Sequence, residues 1–295
     1  MGEEYSGQNR LGGEVGAAFR SHPRRFRGSR LVYPVLSRRS GGVSIGVNLS
    51  PGQRCNFNCL YCQVDRTGAR AEEGVDLGVL EEELRQAVGM VRSGELFGYE
   101  PFDAVAGKLR VLRDIAISGD GEPTAAGEFA GACRVVARVK RELGLEGVKA
   151  VVITNATLLD RAEVEEGLAA LDEGGLEVWA KLDAGTERWY RLMNESEVAF
   201  ERVLGNLLEV GRRRGVVIQA MWVRVDGASP PAGEVEAWLG RLGELLAGGA
   251  RIKKVQVYTV ARRPRASRVG PLGREELEAM AGRVRELGVE AVAYA

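Results

Sequence analysis

The sequence predicts an α/β fold, an incomplete (βα)6 barrel of the TIM type, from three observations. Short β-branched runs alternate with amphipathic helical segments along most of the chain after residue 30. About six such strand–helix units precede a final short strand, and this alternation indicates parallel strands joined by right-handed crossovers. Polar and glycine-rich segments directly follow the predicted strands, where α/β barrels and open sheets bind ligands. A doubly wound open sheet is the alternative architecture.

The predicted strands are short apolar runs bounded by turn residues. In chain order they cover residues 43–49, 113–117, 148–154, 176–182, 216–223, 252–260 and 289–293. The predicted helices have apolar residues at helical spacing. They cover residues 77–92, 126–143, a short stretch from about residue 160, 198–213, 234–246 and 274–287.

Three regions follow from this pattern. Residues 1–30 are polar, rich in glycine and arginine and without apolar periodicity, which predicts a flexible N-terminal arm. Basic residues crowd its last ten positions, and a solvated tail or an RNA- or phosphate-binding segment would both explain them. Residues 31–270 contain the predicted barrel, and residues 271–295 form a helix–strand extension packed on it.

Composition excludes several classes of protein. The 295 residues are 45% hydrophobic, enough for one large core, and the formal net charge of zero gives no global attraction to nucleic acid or to an anionic membrane. No stretch approaches the roughly 20 apolar residues that span a bilayer, and the first 30 residues lack the apolar region of a secretory signal. We therefore expect a cytoplasmic protein without a membrane partner.

Three of the four cysteines, Cys55, Cys59 and Cys62, lie within eight positions of one another. Their spacing would place them on one helical face, but Pro51-Gly52 precedes them, and Asn56 and Asn58 between them favour a loop. A disulfide framework would separate the cysteines more widely.

Structural zinc is the other alternative for this cluster, although a closed zinc site uses four ligands. The single histidine, His22, belongs to the predicted arm, and Cys133 lies among apolar neighbours in a predicted helix, where a core thiol is typical. Three thiolates suit a cubane iron–sulfur cluster that keeps one iron open to chelation by a substrate or cofactor.

The C-x3-C-x2-C spacing directly after the first predicted strand, with Tyr61 before the last cysteine, resembles the signature of the radical S-adenosylmethionine (SAM) superfamily. The resemblance implies a [4Fe–4S] cluster on Cys55, Cys59 and Cys62, with SAM as the second cofactor. It also implies the reaction, in which the reduced cluster cleaves SAM to a 5′-deoxyadenosyl radical that abstracts hydrogen from the substrate.

A glycine-rich turn, residues 118–124, follows the second predicted strand. By itself it is a tight turn in which Gly119 and Gly121 allow close backbone approach and Glu122 supplies an acceptor. Beside the cysteine motif, Gly121-Glu122-Pro123 resembles the Gly-Gly-Glu element of the superfamily, which contacts the cofactor amino group. The resemblance therefore makes Tyr61, Gly119, Gly121 and Glu122 cofactor-binding candidates.

Polar residues also end the next two predicted strands. Asn155 could bond the cofactor ribose or cap the following helix. Lys181 and Asp183 share one face of their strand because side chains alternate. If that face lines the lumen, Lys181 needs Asp183 or an anionic ligand as a partner, and we predict the two as catalytic residues.

Within the superfamily, the sequence most resembles a group of bacterial and archaeal iron–sulfur oxidoreductases related to the wyosine-forming tRNA enzymes. This resemblance rests on residues 33–39 and 44–49, the Gly-x-Gly-Glu-Pro-Thr turn, Lys-Leu-Asp-Ala at 181–184, and residues 255–262. Demethylwyosine synthase resembles this core but carries a second cluster on three more N-terminal cysteines, with a lysine that engages pyruvate. No cysteine or lysine precedes Cys55 here, so the wyosine reaction is not transferred.

The predicted protein is thus a radical SAM enzyme, an Fe–S oxidoreductase or modifying enzyme whose substrate the sequence does not identify. The resemblance implies a reducing partner such as flavodoxin or ferredoxin and, more weakly, RNA or peptide modification. The alternative is a zinc- or iron-dependent RNA-binding protein without radical chemistry.

Overall fold

The fold is a curled, mostly parallel β-sheet, a half-barrel with helices on its outer face. A computed structural model describes residues 19, 24–64 and 74–295. The strands are β1 (Val32–Ser37), β2 (Gly42–Val47), β3 (Leu112–Ile117), β4 (Lys149–Thr154), β5 (Leu176–Lys181), β6 (Val216–Met221), β7 (Val223–Val225), β8 (Ile252–Tyr258), β9 (Val269–Pro271) and β10 (Ala291–Tyr294). The helices are α1 (Leu77–Ser93), α2 (Phe129–Glu142), α3 (Ala162–Asp172), α4 (Glu187–Asn194), α5 (Phe200–Arg213), α6 (Ala232–Ala247) and α7 (Arg274–Glu286).

The eight-stranded sheet has the order β1-β2-β3-β4-β5-β6-β8-β10. Neighbours from β2 to β10 pair in parallel, whereas β1 pairs antiparallel with β2. After β1, strand order follows chain order and never reverses. A doubly wound sheet needs such a reversal, so the incomplete barrel is the correct prediction and the open-sheet alternative is wrong.

Several elements differ from the prediction. The sequence pattern missed β1 and helix α4, and it merged β6 with β7, which instead pairs antiparallel with β9 in a separate two-stranded sheet. Strand β7, strand β9, which was also missed, and helix α4 are short, and short segments carry too few residues to show a clear period. Strand β1 contains Pro34, which weakens the sequence signal for a strand. Strand β10, inside the predicted C-terminal extension, continues the main sheet beside β8.

Local signals explain where the site-supporting helices begin and end. The Asp76 carboxylate accepts hydrogen bonds from the backbone N–H groups of Gly78 and Val79 and so caps α1. Thr186 caps α4 by accepting from the Trp189 N–H, and α4 ends at Glu195, which adopts the left-handed conformation. The caps satisfy amide groups that the helices themselves leave unpaired.

Two apolar layers cover the two faces of the sheet. The larger layer lies between the sheet and the helices and includes fully buried side chains such as Ile45, Ile115 and Val152. A small cluster of Ala116, Val151, Trp179 and Val217 lines the inner face, since successive side chains of a strand point to opposite faces. The remainder of the inner face is polar and forms the candidate site. No helix in the described ranges is long and apolar enough to cross a membrane.

Candidate active site

The cysteine segment forms an irregular loop between β2 and α1, as predicted, so the buried helical stripe is wrong. Cys59 is buried, while Cys55 and Cys62 are half-buried. All three line one cavity of about 310 Å³ that runs along the inside of the half-barrel. Burial raises the pKa of the Cys59 thiol to about 11. The fourth cysteine, Cys133, is buried within α2 and lies outside this cavity.

Helix α4 holds the cysteine loop in place. Its last carbonyl groups accept backbone hydrogen bonds from the loop, Asn58 N to Asn194 O at 2.9 Å and Leu60 N to Met193 O at 3.0 Å. The Asn194 amide Nδ2 also donates to Cys59 Sγ at 3.4 Å. The C-terminal end of α4 leaves carbonyls without helical partners, and the loop supplies their donors.

The glycine-rich turn after β3 packs directly against the cysteine loop. A Cβ at Gly121 would lie 1.7 Å from the carbonyl oxygen of Arg54, the residue before the first cysteine. The Glu122 N–H donates to that same carbonyl at 3.3 Å. Gly119 adopts a φ of 149°, and a Cβ there would lie 2.3 Å from Asn48 Oδ1. Both glycines are therefore required by close approach, and both line the cavity.

The Glu122 carboxylate is buried and almost fully used as an acceptor. Its Oε1 accepts from Thr124 N at 3.2 Å and from the hydroxyls of Thr124 and Thr154, both at 2.6 Å. Its Oε2 accepts from Asn155 N at 2.7 Å. Burial raises the pKa of Glu122, and these hydrogen bonds oppose the rise. Oε2 accepts only one of these four hydrogen bonds, so the second lone pair of that oxygen remains for a ligand in the cavity.

Asn155 connects the end of β4 to the cysteine loop. Its Nδ2 donates to Asn56 Oδ1 at 2.6 Å, and its Oδ1 accepts from the Thr157 N–H at 3.1 Å and the Thr157 hydroxyl at 2.7 Å. The Asn56 amide in turn donates to the Thr157 hydroxyl at 2.7 Å. Asn155 lines the cavity, but these contacts occupy its side chain in holding the loop.

Lys181 and Asp183 form an ion pair at the wall of the cavity. Lys181 Nζ lies 3.2 Å from Asp183 Oδ2 and 3.1 Å from the Tyr258 hydroxyl, and 4.7 Å from the centre of the Tyr61 ring. Burial by itself would lower the pKa of Lys181, but Asp183 and Tyr258 raise it well above its usual value. The lysine is therefore held as an ammonium ion.

Asp183 lies behind Lys181 and does not line the cavity. It accepts from the Tyr61 hydroxyl and, at 2.7 Å, from the backbone N–H of Met221. Burial and the nearby Asp183 charge raise the pKa of Tyr61, so the phenol keeps the proton that it donates. Asn194 Nδ2 completes the chain by donating to the Tyr61 hydroxyl at 2.9 Å. The aromatic residue of the cysteine motif is thus anchored to the end of β5.

Residue Arg24 reaches the site from the end of the predicted arm. Its Nε lies 3.0 Å from Asp120 Oδ1, and it contacts the Tyr33 hydroxyl and the Gly119 carbonyl. Asp120 also accepts from Asn48 Nδ2 at 2.9 Å. Residues 24–30 lie against the barrel, while most of the predicted arm, including His22, lies outside the described residues.

The structure therefore brings the ten predicted site residues to one end of the half-barrel. It adds Asn194, Arg24, Asn48 and Asn56, which sequence analysis missed. Asn56 lies within the cysteine motif and could have been singled out as a polar residue there. The other three carry no local signal, because their partners are distant along the chain.

The donor set can be tested against the implied cluster. In the part of the chain that the structure describes, no three His, Cys, Asp or Glu side chains converge on one metal-ion position. In a cubane cluster each thiolate binds a different iron. Three thiols that line one cavity, beside a turn whose glycines let it pack against the cysteine loop, fit a cluster of this type better than a single zinc ion.

Comparison with known families gives one match to a family model. The model is described as the radical SAM superfamily and matches residues 49–223, more than half of the chain. The matched segment begins before the cysteine loop and extends through β6 to the first residue of β7. It includes all ten predicted site residues.

Three curated relatives match parts of the sequence. A protein named GTPase Obg from Brachyspira hyodysenteriae is 24% identical over 258 residues, 86% of this chain and 33% of that protein. A UPF0026 protein from Helicobacter pylori is 29% identical over 142 residues, which are 47% of this chain and 39% of that protein. A UPF0026 protein from Synechocystis is 30% identical over 143 residues, which are 48% of this chain and 45% of that protein. The chain spans from a third to less than half of the length of these relatives.

Solved structures with the same fold include the following three. A radical SAM methyltransferase from Sphaerobacter thermophilus aligns with a TM-score of 0.57 at 16% identity, covering 89% of this chain and 68% of that one. SuiB from Streptococcus suis, bound to S-adenosylmethionine, aligns with a TM-score of 0.53 at 12% identity, covering 85% of this chain and 46% of that one. TYW1 with a lysine–pyruvate adduct aligns with a TM-score of 0.52 at 16% identity, covering 89% of this chain and 85% of that one. At these identities the likeness concerns the fold.

Proposed function

This chain belongs to the radical SAM superfamily and is an enzyme, and from that premise we propose that it binds one [4Fe–4S] cluster and S-adenosylmethionine in the barrel cavity. Cys55, Cys59 and Cys62 would hold the cluster. The observation that carries the proposal is that the three thiols share one cavity with the glycine-rich turn and Lys181. When bound and reduced, the cluster would supply the electron for cleavage of SAM into methionine and a 5′-deoxyadenosyl radical, and this radical would abstract hydrogen from the substrate.

The turn after β3 would receive the amino end of the cofactor. Gly119 and Gly121 let the turn pack against Asn48 and the cysteine loop, and the remaining acceptor position on Glu122 Oε2 suits an ammonium group. Thr124, Thr154 and Asn155 hold the carboxylate in a fixed orientation. Such pre-organisation reduces the entropy that binding would otherwise cost.

Two kinds of role are proposed for the remaining site residues. Some would contact the cofactor or substrate, and others would position the residues that do. Lys181 presents an ammonium group to the cavity, suited to an anionic group of the cofactor or substrate. Asp183 would act through Lys181 and Tyr61, since it touches both and lies behind them. Asn155 would position the cysteine loop through Asn56, and Tyr61 would contribute its ring to the cofactor side of the loop.

A reducing partner is part of the same proposal, because each cleavage needs one electron from outside the chain. A flavodoxin or ferredoxin in the cytoplasm is the class of partner that fits this requirement. For the substrate, the resemblance to wyosine-forming enzymes favours RNA or peptide modification, and the reaction is hydrogen abstraction from that substrate.

Anaerobic reconstitution with iron and sulfide tests the proposal. We expect a brown protein with broad absorption in the visible blue and about four irons per chain. Dithionite-reduced protein mixed with SAM should release 5′-deoxyadenosine. One tightly bound zinc ion, no colour and no 5′-deoxyadenosine would contradict the proposal and favour the metal-dependent RNA-binding alternative.

A further inference from the structure

Two arginine side chains face the barrel cavity without a carboxylate partner. The first is Arg39, in the turn between β1 and β2, at the amino-terminal end of the parallel strands. Its guanidinium lies 5.5 Å from the centre of the Trp179 ring and 5.2 Å from that of the Tyr258 ring. It makes no hydrogen bond or ion pair with any residue in the described ranges. Cation–π contact with two rings holds the guanidinium in place, and no described residue accepts a hydrogen bond from it.

The second is Arg262, which follows β8 at the opposite end of the strands. Its Nη2 donates to Gln63 Oε1 at 3.2 Å, and its carbonyl accepts from Gln63 Nε2 at 2.9 Å. No described carboxylate lies within ion-pair distance of it. Burial, together with the positive charges of Arg24 and Arg39, lowers the pKa of Arg262 to about 10. The positive charges of Arg24 and Arg39 therefore act on Arg262 within this cavity.

The other charged groups of the cavity are already engaged. Arg24 pairs with Asp120 at 3.0 Å and Lys181 with Asp183 at 3.2 Å. The Glu122 carboxylate is surrounded by four protein donors, as described above. Arg38 donates to the carbonyl of Ala295. Asp114, the remaining acid of the lumen, accepts from the Ser44 hydroxyl; burial raises its pKa, and the Ser40 and Ser44 hydroxyls and the Arg39 charge oppose the rise. Arg39 and Arg262 are thus the cavity cations with the most unused donors.

We propose that Arg39 and Arg262 bind anionic groups, carboxylate or phosphate, of the substrate inside the half-barrel. The proposal deepens the proposed function, on which its substrate role rests. A guanidinium fork matches the paired oxygens of either anion. Both arginines line the cavity that would contain the cofactor, so the substrate would be bound close to it. The anionic groups would fix the substrate beside the cysteine loop.

Calorimetric titration of the reconstituted holoenzyme, with and without saturating SAM, tests this inference. The probes are inorganic phosphate and succinate. We expect wild-type protein to bind at least one of them in the presence of SAM. Arg39→Gln and Arg262→Gln should each weaken that binding by about tenfold or more, because each removes a charged hydrogen-bond donor pair. Arg39→Lys should weaken it less.

Arg263→Gln is the matched control, since Arg263 is exposed, adjacent to Arg262 and outside the cavity lining. It should bind the probe as wild type does. Binding of phosphate alone indicates a phosphorylated substrate, and binding of succinate alone indicates a carboxylic acid. Either result, with the expected losses in the variants, supports the site.

Three outcomes would overturn the inference. The first is that wild-type protein binds neither probe, and the second is that both glutamine variants bind the probe as tightly as wild type does. The third is that SAM displaces the probe completely, which would assign the arginines to the cofactor carboxylate. Iron content and SAM binding are measured on the same samples. If wild-type protein holds neither, the proposed function fails, whereas the anion titration of the cluster-free protein still tests the arginine pair.

Discussion

The Tyr61 hydroxyl donates a hydrogen bond to the Asp183 carboxylate, joining the cysteine motif to the end of β5 across 122 positions of the chain. The bond unites two features that the sequence shows separately, the aromatic residue before the last cysteine and the acid after the fourth strand of the predicted barrel. It also fixes the orientation of the ring against which Lys181 rests. Its loss should loosen the cluster loop.

We expect Tyr61→Phe to lower the free energy of unfolding by roughly 1.5–3 kcal/mol, the range for a hydrogen bond to a charged group. Cluster retention under mild chelation should fall as well. Urea denaturation and iron analysis measure the two effects. Tyr294→Phe is the control, since its half-buried hydroxyl has no hydrogen-bond partner among the described residues. Equal stability of the two variants would show that the Tyr61 bond contributes nothing.

Replacing Cys55, Cys59 or Cys62 by Ala should abolish cluster assembly, because a cubane needs a thiolate on each of three irons. Iron and sulfide analysis after anaerobic reconstitution gives the result. Cys133→Ala serves as the control, since this thiol is buried in α2 away from the cavity, and it should retain wild-type iron content. A Cys59→Ala protein with a full cluster would refute the ligand assignment.

Glu122→Gln replaces one acceptor oxygen by an NH2 group and so places two donors face to face in a buried network. We expect a loss of roughly 1.5–3 kcal/mol in SAM binding, together with reduced stability. Calorimetric SAM titration and urea denaturation separate the two effects. Glu128→Gln, six residues further along the chain, is the control. Loss of stability with unchanged SAM affinity would assign Glu122 a structural role only.

Asn194→Leu removes the amide that donates to Cys59 Sγ and to the Tyr61 hydroxyl. Hydrogen bonds to ligand sulfur stabilise the more negative, reduced cluster, so the reduction potential should fall. Potentiometric titration followed by electron paramagnetic resonance measures it. A variant that reconstitutes fully and has the same potential as wild type and Cys133→Ala would contradict this role.

Lys181→Met leaves Asp183 buried without its ion-pair partner, and breaking such a pair costs roughly 3–5 kcal/mol. Adding Asp183→Asn should recover part of the loss, which a double-mutant cycle in urea measures. Additive losses in the cycle would show that the two groups are not coupled.

The pH dependence of the pair follows from the raised pKa of Lys181. For a base whose pKa is raised by folding, the stabilisation is complete below the unfolded pKa, 10.5 for a free lysine, and is lost as pH rises through the folded value. The coupling energy should therefore stay constant between about pH 6 and pH 9. A clear decline within that window would contradict the assignment.

Much of the architecture and the site could be predicted from sequence. Alternation of strand and helix patterns predicted the order of the parallel strands, and the two glycine and cysteine motifs were recognisable because their residues are close together in the chain. Period-two alternation correctly placed Lys181 beside Asp183. These features depend on local periodicity or spacing, which neighbouring residues determine among themselves.

The sequence by itself thus determined the order of the parallel strands, the loop character of the cysteine segment and which three cysteines that segment brings together. Tertiary structure alone decided which residues support them. Asn194 donates a hydrogen bond to Cys59, 135 positions away in the chain, and Arg24 donates one to Asp120, 96 positions away. Arg39 and Arg262 line the same cavity, although they lie at opposite ends of the strands. The curl of the sheet creates these contacts, and it arises from packing along all the strands at once, which no local pattern encodes.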